Sequence, residues 1–178
     1  MSREPIAPPA AGEYAPFYSG YVAFAREHDP LQLLESQRDT LRRMCSGLTE
    51  EQALARYAPG KWSIKQVLGH LADTERVFSY RIFRISRGDA TPLAGFDQDA
   101  YVDAARSDER PLAELLEEFL SVRTATIRLV EGLTAEEMSR SGVANEVPVS
   151  ARALVFIAPG HVAHHLKILR DSYGVAIP

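Results

Sequence analysis

The sequence predicts an all-α fold: a four-helix bundle ordered up-down-down-up, with a long connection between its second and third helices. Three observations carry this expectation. Four stretches of about twenty residues place apolar side chains at helical spacing between capping residues and glycine stops. No alternating β-branched run flanked by hairpin turns competes with them. The segment between the second and third helices exceeds the ~2–8 residues usual between bundle helices. That length lets those two run parallel, while a short connection makes consecutive helices antiparallel neighbours.

Residues 1–29 read as an irregular N-terminal arm, since four of the first sixteen residues are proline. Residues 30–178 read as the bundle domain. The first long helix starts at Asp29-Pro30, an N-cap followed by proline, and carries Leu31, Leu34, Leu41, Met44 and Cys45 to a stop at Gly47. Thr49 with Gln52 is a capping box for a short helix running to about Tyr57. Ser63 with Gln66 is another, opening the second long helix, whose stripe is Ile64, Val67, Leu71, Phe78, Ile82 and Ile85 before Gly88.

Residues 88–110 hold turn formers and one short helical piece near Gln98 to Ala105. Pro111 opens the third helix, which reaches about Glu131. A plain loop is expected from Gly142 to Val149. Ser150 caps the fourth helix, which extends to about Tyr173 and should bend or loosen near Pro159. Gly47-Leu48-Thr49 and Gly132-Leu133-Thr134 echo one another, as two similar halves would or, more simply, as good helix-stop and helix-start chemistry would.

At 178 residues, one domain with a real core is expected. The net charge of −4 gives no electrostatic footprint for nucleic acid and disfavours anionic lipid. No apolar run approaches the roughly 20 residues that span a bilayer, and the N-terminus lacks the apolar core of a secretory signal. The single cysteine, Cys45, excludes an intrachain disulfide framework. A cytoplasmic address is the expectation.

Five histidines are present, and three crowd one turn of the fourth helix in GHVAHHLKIL. His161 and His165 are four residues apart, so they share a helical face and can direct two imidazole nitrogens at one metal ion. His70, in GHLADTE of the second helix, is the best candidate for a third ligand. It lies seven residues past the Ser63 cap, and His165 eight before Tyr173. In antiparallel helices those depths coincide. The bland alternatives are surface histidines or hydrogen-bonded core histidines. His164 projects about 100° from His165 and is kept as its substitute beside His161. His28 reads as solvated.

Asp73, at i+3 from His70, could orient that ring or add a carboxylate ligand. Glu75 reads as a surface ion-pair partner. Trp62 and Tyr57 read as packing staples. Arg76, Arg81, Arg84 and Arg87 supply positive charge along the second helix; they could face an anionic substrate, but an exposed basic face is the safer reading. No GxGxxG, P-loop or GxSxG motif is present.

At Lys61-Trp62-Ser63-Ile64, Gly69-His70-Leu71 and Gly160-His161-Val162-Ala163-His164-His165, the sequence resembles the DinB-like family of metal-binding four-helix bundles. The stretch Gly95-Phe96-Asp97-Gln98-Asp99-Ala100-Tyr101 also looks like one common to a branch of that family, with no chemistry assigned to it. The resemblance covers about residues 30–173. It places the metal ligands on His70, His161 and His165, and implies a divalent ion such as zinc or nickel and a homodimer. It further implies a small-molecule thiol and an electrophile as substrates, since some relatives are thiol S-transferases and one is a thiol-dependent isomerase. Three function classes follow. The first is a metal-dependent low-molecular-weight-thiol S-transferase. The second is a metal-dependent hydrolase with Asp73 as general base. The third is a non-catalytic metal-binding or interaction module.

Overall fold

The computed structural model describes residues 5–177. The N-terminal segment, expected to be irregular, forms two 3-10 turns, Ala11–Glu13 and Pro16–Tyr18, and then helix α1 (Ser19–Ala25). It is ordered because it is tied down. The Glu13 carboxylate accepts from Ser150 Oγ at 2.6 Å and from Arg152 Nε at 3.1 Å, and Val22 and Ala25 are buried.

Asp29 caps α2 (Pro30–Ser46) by accepting from the Leu31 and Gln32 amides. Reciprocal capping boxes open α3 (Glu50–Ala53) at Thr49 and α4 (Ile64–Ser86) at Ser63. Asp97 caps α5 (Gln98–Ala105), which sits inside the long connection. After α6 (Leu112–Glu131), a capping box at Thr134 starts α7 (Ala135–Ser139).

Residues 142–149 are not a plain loop. They belong to an antiparallel hairpin of β1 (Ser141–Ala144) and β2 (Val147–Ser150). Its turn residues Asn145 and Glu146 have φ of 52° and 65°, the backbone of a primed hairpin turn. Leu93 of the long connection docks there: its N–H donates to the Val143 carbonyl and its carbonyl accepts from the Asn145 N–H, both at 2.9 Å. Ser150 then caps α8 (Ala151–Asp171), which continues through Pro159 without breaking.

The long helices run up, down, down, up, as predicted. α4 and α6 are adjacent and parallel: Lys65 Nζ donates to the Arg110 carbonyl near their starts, and Glu75 pairs with Arg123 further along. α4 and α8 are antiparallel: the Tyr173 hydroxyl donates to the Trp62 carbonyl at one end, and His70 meets His161 further in. The neighbour relations differ from expectation. α2 packs on α6 and α8, and α4 packs on the same two, so α2 and α4 stand diagonally, as do α6 and α8. The connections after α2 and α6 carry α3 and α7, which gives them the reach to cross the bundle end.

Two apolar cores stack along the bundle axis. One holds Leu34, Phe78, Ile82, Ile127, Leu154 and Ile157. The other holds Leu41, Leu68, Leu71, Leu115, Phe119 and Val162. Between them lies a buried polar layer with a residue from each long helix: Gln37, His70, Glu75, Arg123 and His161. Among the described residues, no helix is long and apolar enough to cross a membrane.

Candidate metal centre

The Ser63 cap fixes where α4 begins, and two turns later His70 points into the bundle, 3% exposed. On α8, Gly160 precedes His161. A Cβ at Gly160 would collide with the Tyr21 carbonyl, so only glycine lets α1 lie this close to the helix that carries the histidines. His161 is 6% exposed. His165 follows one turn on, half-buried.

The three rings converge. His161 Nε2 lies 3.1 Å from His70 Nε2 and 3.1 Å from His165 Nε2. The candidate ligand nitrogens of all three lie within 4.8 Å of one another. Burial drives His70 down to about 4 and His165 to about 3. It drives His161 well below its ordinary value, with its histidine neighbours and Arg123 adding to the effect. All three are therefore neutral near pH 7, with lone pairs free for coordination.

The donor set fits a divalent ion. His161 Nε2 has one proton or one lone pair, so it can make an in-line hydrogen bond to only one of its two close neighbours. Three imidazole nitrogens at this separation match the ~2.0–2.1 Å bonds of a His₃ site with a fourth position open.

Aromatic rings wall the cluster. The Trp62 ring centroid is 4.8 Å from that of His70 and 6.4 Å from that of His165, nearly parallel to the latter at 16°. Tyr21 and Phe78 meet His161 edge-on at 5.6 and 5.7 Å. Thr74 Oγ1 is 3.4 Å from His70 Nδ1. A cavity of about 260 Å³ opens on His70 and His161. Its wall comes from four parts of the chain: Phe17 and Tyr18 from the N-terminal segment, Arg81 from α4, Phe96 and Gln98 from the long connection, and Asn145 from the hairpin tip. Asn145 reaches it by crossing Gly95, where a Cβ would strike its side chain. No carboxylate lines this cavity among the described residues.

Other candidates fall elsewhere. Asp73 hydrogen-bonds Arg76 at 3.2 Å in a hollow with Gly69, Ser107 and Glu118, on the α6 side of α4, so it is neither ligand nor base at the cluster. His164 is exposed with its ring tilted against that of Tyr21, and His28 is exposed beside Phe24. Glu75 is not a surface residue. Its carboxylate takes a bidentate pair from Arg123 at 2.8 and 2.9 Å. Arg123 Nη1 also donates to Gln37 Oε1 at 2.8 Å, and Gln37 Nε2 donates to the Pro159 carbonyl at 2.8 Å. This chain of bonds holds α8 two residues before His161.

Sequence reasoning missed Trp62, Tyr21 and Asn145 as site residues, and it favoured an exposed face for Arg81, which is buried and lines the cavity. Trp62 had a signal, since it sits in the motif leading into α4. Arg81 had one too: His70, Thr74, Phe78, Arg81 and Ile85 recur at helical spacing on one face. Tyr21 and Asn145 had none, because the arm was expected to be irregular and the hairpin to be a plain loop.

The sequence profile of the DinB superfamily matches residues 33–169. A Bacillus subtilis protein, YfiT, whose name assigns it provisionally to the metal-dependent hydrolases, is 28% identical over 169 residues, 89% of this chain and 92% of its own. The solved structure of YfiT, described as an unusual four-helix bundle, superposes with a TM-score of 0.75 at 20% identity, covering 93% of this chain and 97% of that one. A mycothiol-dependent maleylpyruvate isomerase superposes with a TM-score of 0.67 at 13% identity, covering 84% of this chain and 63% of that one. Since the profile runs from the first turn of α2 almost to the end of α8 and spans both helices that carry the clustered imidazoles, this chain belongs to the DinB superfamily.

Proposed function

We propose that the protein is a metal-dependent enzyme that joins a low-molecular-weight thiol to a small electrophile, with His70, His161 and His165 holding a divalent ion, zinc or nickel. The observation that carries this reading is three neutral, converging imidazoles, two of which, His70 and His161, line a cavity with no carboxylate among the described residues. A bound divalent ion lowers the pKa of a thiol or water at its open position and holds that nucleophile in place.

The chain supplies the rest. Trp62, Tyr21 and Phe78 exclude water from the imidazoles, and their apolar surroundings keep the rings unprotonated. With no carboxylate in the wall among the described residues, none of these side chains can act as a carboxylate base. That favours a nucleophile deprotonated on binding over hydrolysis assisted by Asp73, which points to α6. The thiol dependence named for the mycothiol-dependent isomerase supports the same choice, while the name of YfiT supports activated water at the same three rings.

Zinc titration of the purified chain, followed by thiol consumption with glutathione and 1-chloro-2,4-dinitrobenzene, tests the reading. One equivalent of zinc, turnover that chelation abolishes, and loss of both in His161→Ala are expected. Ester hydrolysis without thiol consumption would replace this reading with the hydrolase one. Sedimentation of the same samples tests the homodimer.

A further inference from the structure

We propose, resting on the site reading above, that the cavity beside His70 and His161 receives a small electrophile bearing a carboxylate, and that Arg81 is its anchor. Arg81 is 3% exposed, yet no carboxylate among the described residues lies within ion-pair distance of it. The other arginines of α4 differ: Arg76 pairs with Asp73 and Glu118, Arg84 with Asp89 and Arg87 with Glu137.

The recorded partners of Arg81 are neutral, namely the Ala94 carbonyl at 2.9 Å from Nη2 and the Tyr18 phenol. A guanidinium has five N–H donors, so two such partners leave donors over. None of its nitrogens is both sealed from solvent space and unpartnered, so the remaining donors face open volume. Buried cations are ordinarily paired, because desolvation is otherwise uncompensated. Burial indeed pulls Arg81 below its ordinary value, and Tyr18 offsets this only in part.

The cavity wall matches the remainder of such a ligand. Phe78, Phe96 and Tyr18 present flat apolar surface, and Gln98 and Asn145 add uncharged hydrogen-bonding groups. Arg81 lies on α4 three residues past Phe78, whose ring meets His161, so the anchor stands one turn of about 5 Å beyond that contact. A volume of about 260 Å³ falls just below the ~300–1,000 Å³ usual for ligand pockets, which suits a small planar acid. A single guanidinium with uncharged companions suits a monoanionic carboxylate, which it can grip with two parallel hydrogen bonds. The carboxylate would hold one end of the molecule and turn the other toward the three imidazoles.

Calorimetric titration of the full chain with cinnamate and with cinnamamide, its uncharged counterpart, tests this, with and without one equivalent of zinc. The zinc-free arm removes direct metal coordination as the source of any preference. Expected is millimolar or tighter binding of cinnamate, with cinnamamide about tenfold weaker or worse. Arg81→Gln should erase the preference while leaving cinnamamide binding intact, and Arg81→Lys should keep part of it. Equal affinities, no cinnamate binding, or a preference that survives Arg81→Gln would overturn the anchor. Zinc bound without carboxylate preference sinks the anchor and spares the metal reading; preference without zinc binding does the reverse.

Discussion

At Gly160 the Tyr21 carbonyl fills the space a side chain would need. Gly160→Ala should therefore push α1 off α8 and withdraw the Tyr21 ring from His161, costing about 1–3 kcal/mol. Thermal unfolding measures the loss, and a fall in zinc affinity in the same variant reports the displaced ring. A wild-type melting curve would show that α1 is free to shift without cost. Single residues also show how far the sequence could be read. The histidine set was legible because i,i+4 spacing on one helix and equal depth on another are geometry that a sequence contains. Asp73 against Thr74 was not: both are within a turn of His70, and only the rotation of α4 decides that Thr74 faces the ring while Asp73 faces α6.

Elements were legible wherever a capping residue announces them, as Asp29, Thr49, Ser63 and Ser150 do. The hairpin was hidden because its turn is Asn145-Glu146, without the glycine that normally signals positive φ at both centres. The N-terminal segment was hidden because its order is tertiary, resting on Glu13 and its hold on the start of α8. Desolvation raises the Glu13 carboxyl, but hydrogen bonds from Arg152, Ser150 and the Ala10 amide outweigh it and leave the group below its ordinary 4.5. A depressed carboxylate stabilises fully above its unfolded value, and that contribution is lost as pH falls through the folded one. Glu13→Gln should thus lower stability by about 1 kcal/mol near neutral pH, and the two proteins should converge once the pH has fallen through the depressed folded-state value of Glu13. Melting temperature across pH measures it; a gap that persists in acid would mean Glu13 acts by shape rather than by charge.

Across the whole molecule, the bundle order was legible from one long connection, but the diagonal placement of α2 and α4 was not, because the crossings depend on how α3 and α7 lie over the bundle end. The central polar layer was equally out of reach, since Glu75 read in isolation as a surface charge and nothing in the sequence pairs it with Arg123. Their side chains are 1% and 0% exposed. Arg123→Met should cost about 3–5 kcal/mol by stranding the Glu75 carboxylate, and adding Glu75→Leu should recover most of it. Urea unfolding of the single and double variants measures both; an equal loss in the double would assign the cost to packing. The layer has a further consequence. Apolar stripes alone would tolerate one rod slipping lengthwise past another by a turn, about 5.4 Å, with little penalty. Here such a slip would set Arg123 against leucine, tear α4 and α2 loose from its guanidinium and break the hold of Gln37 on α8, so the stratum works as a vernier, fixing longitudinal alignment and with it the height at which the imidazoles meet.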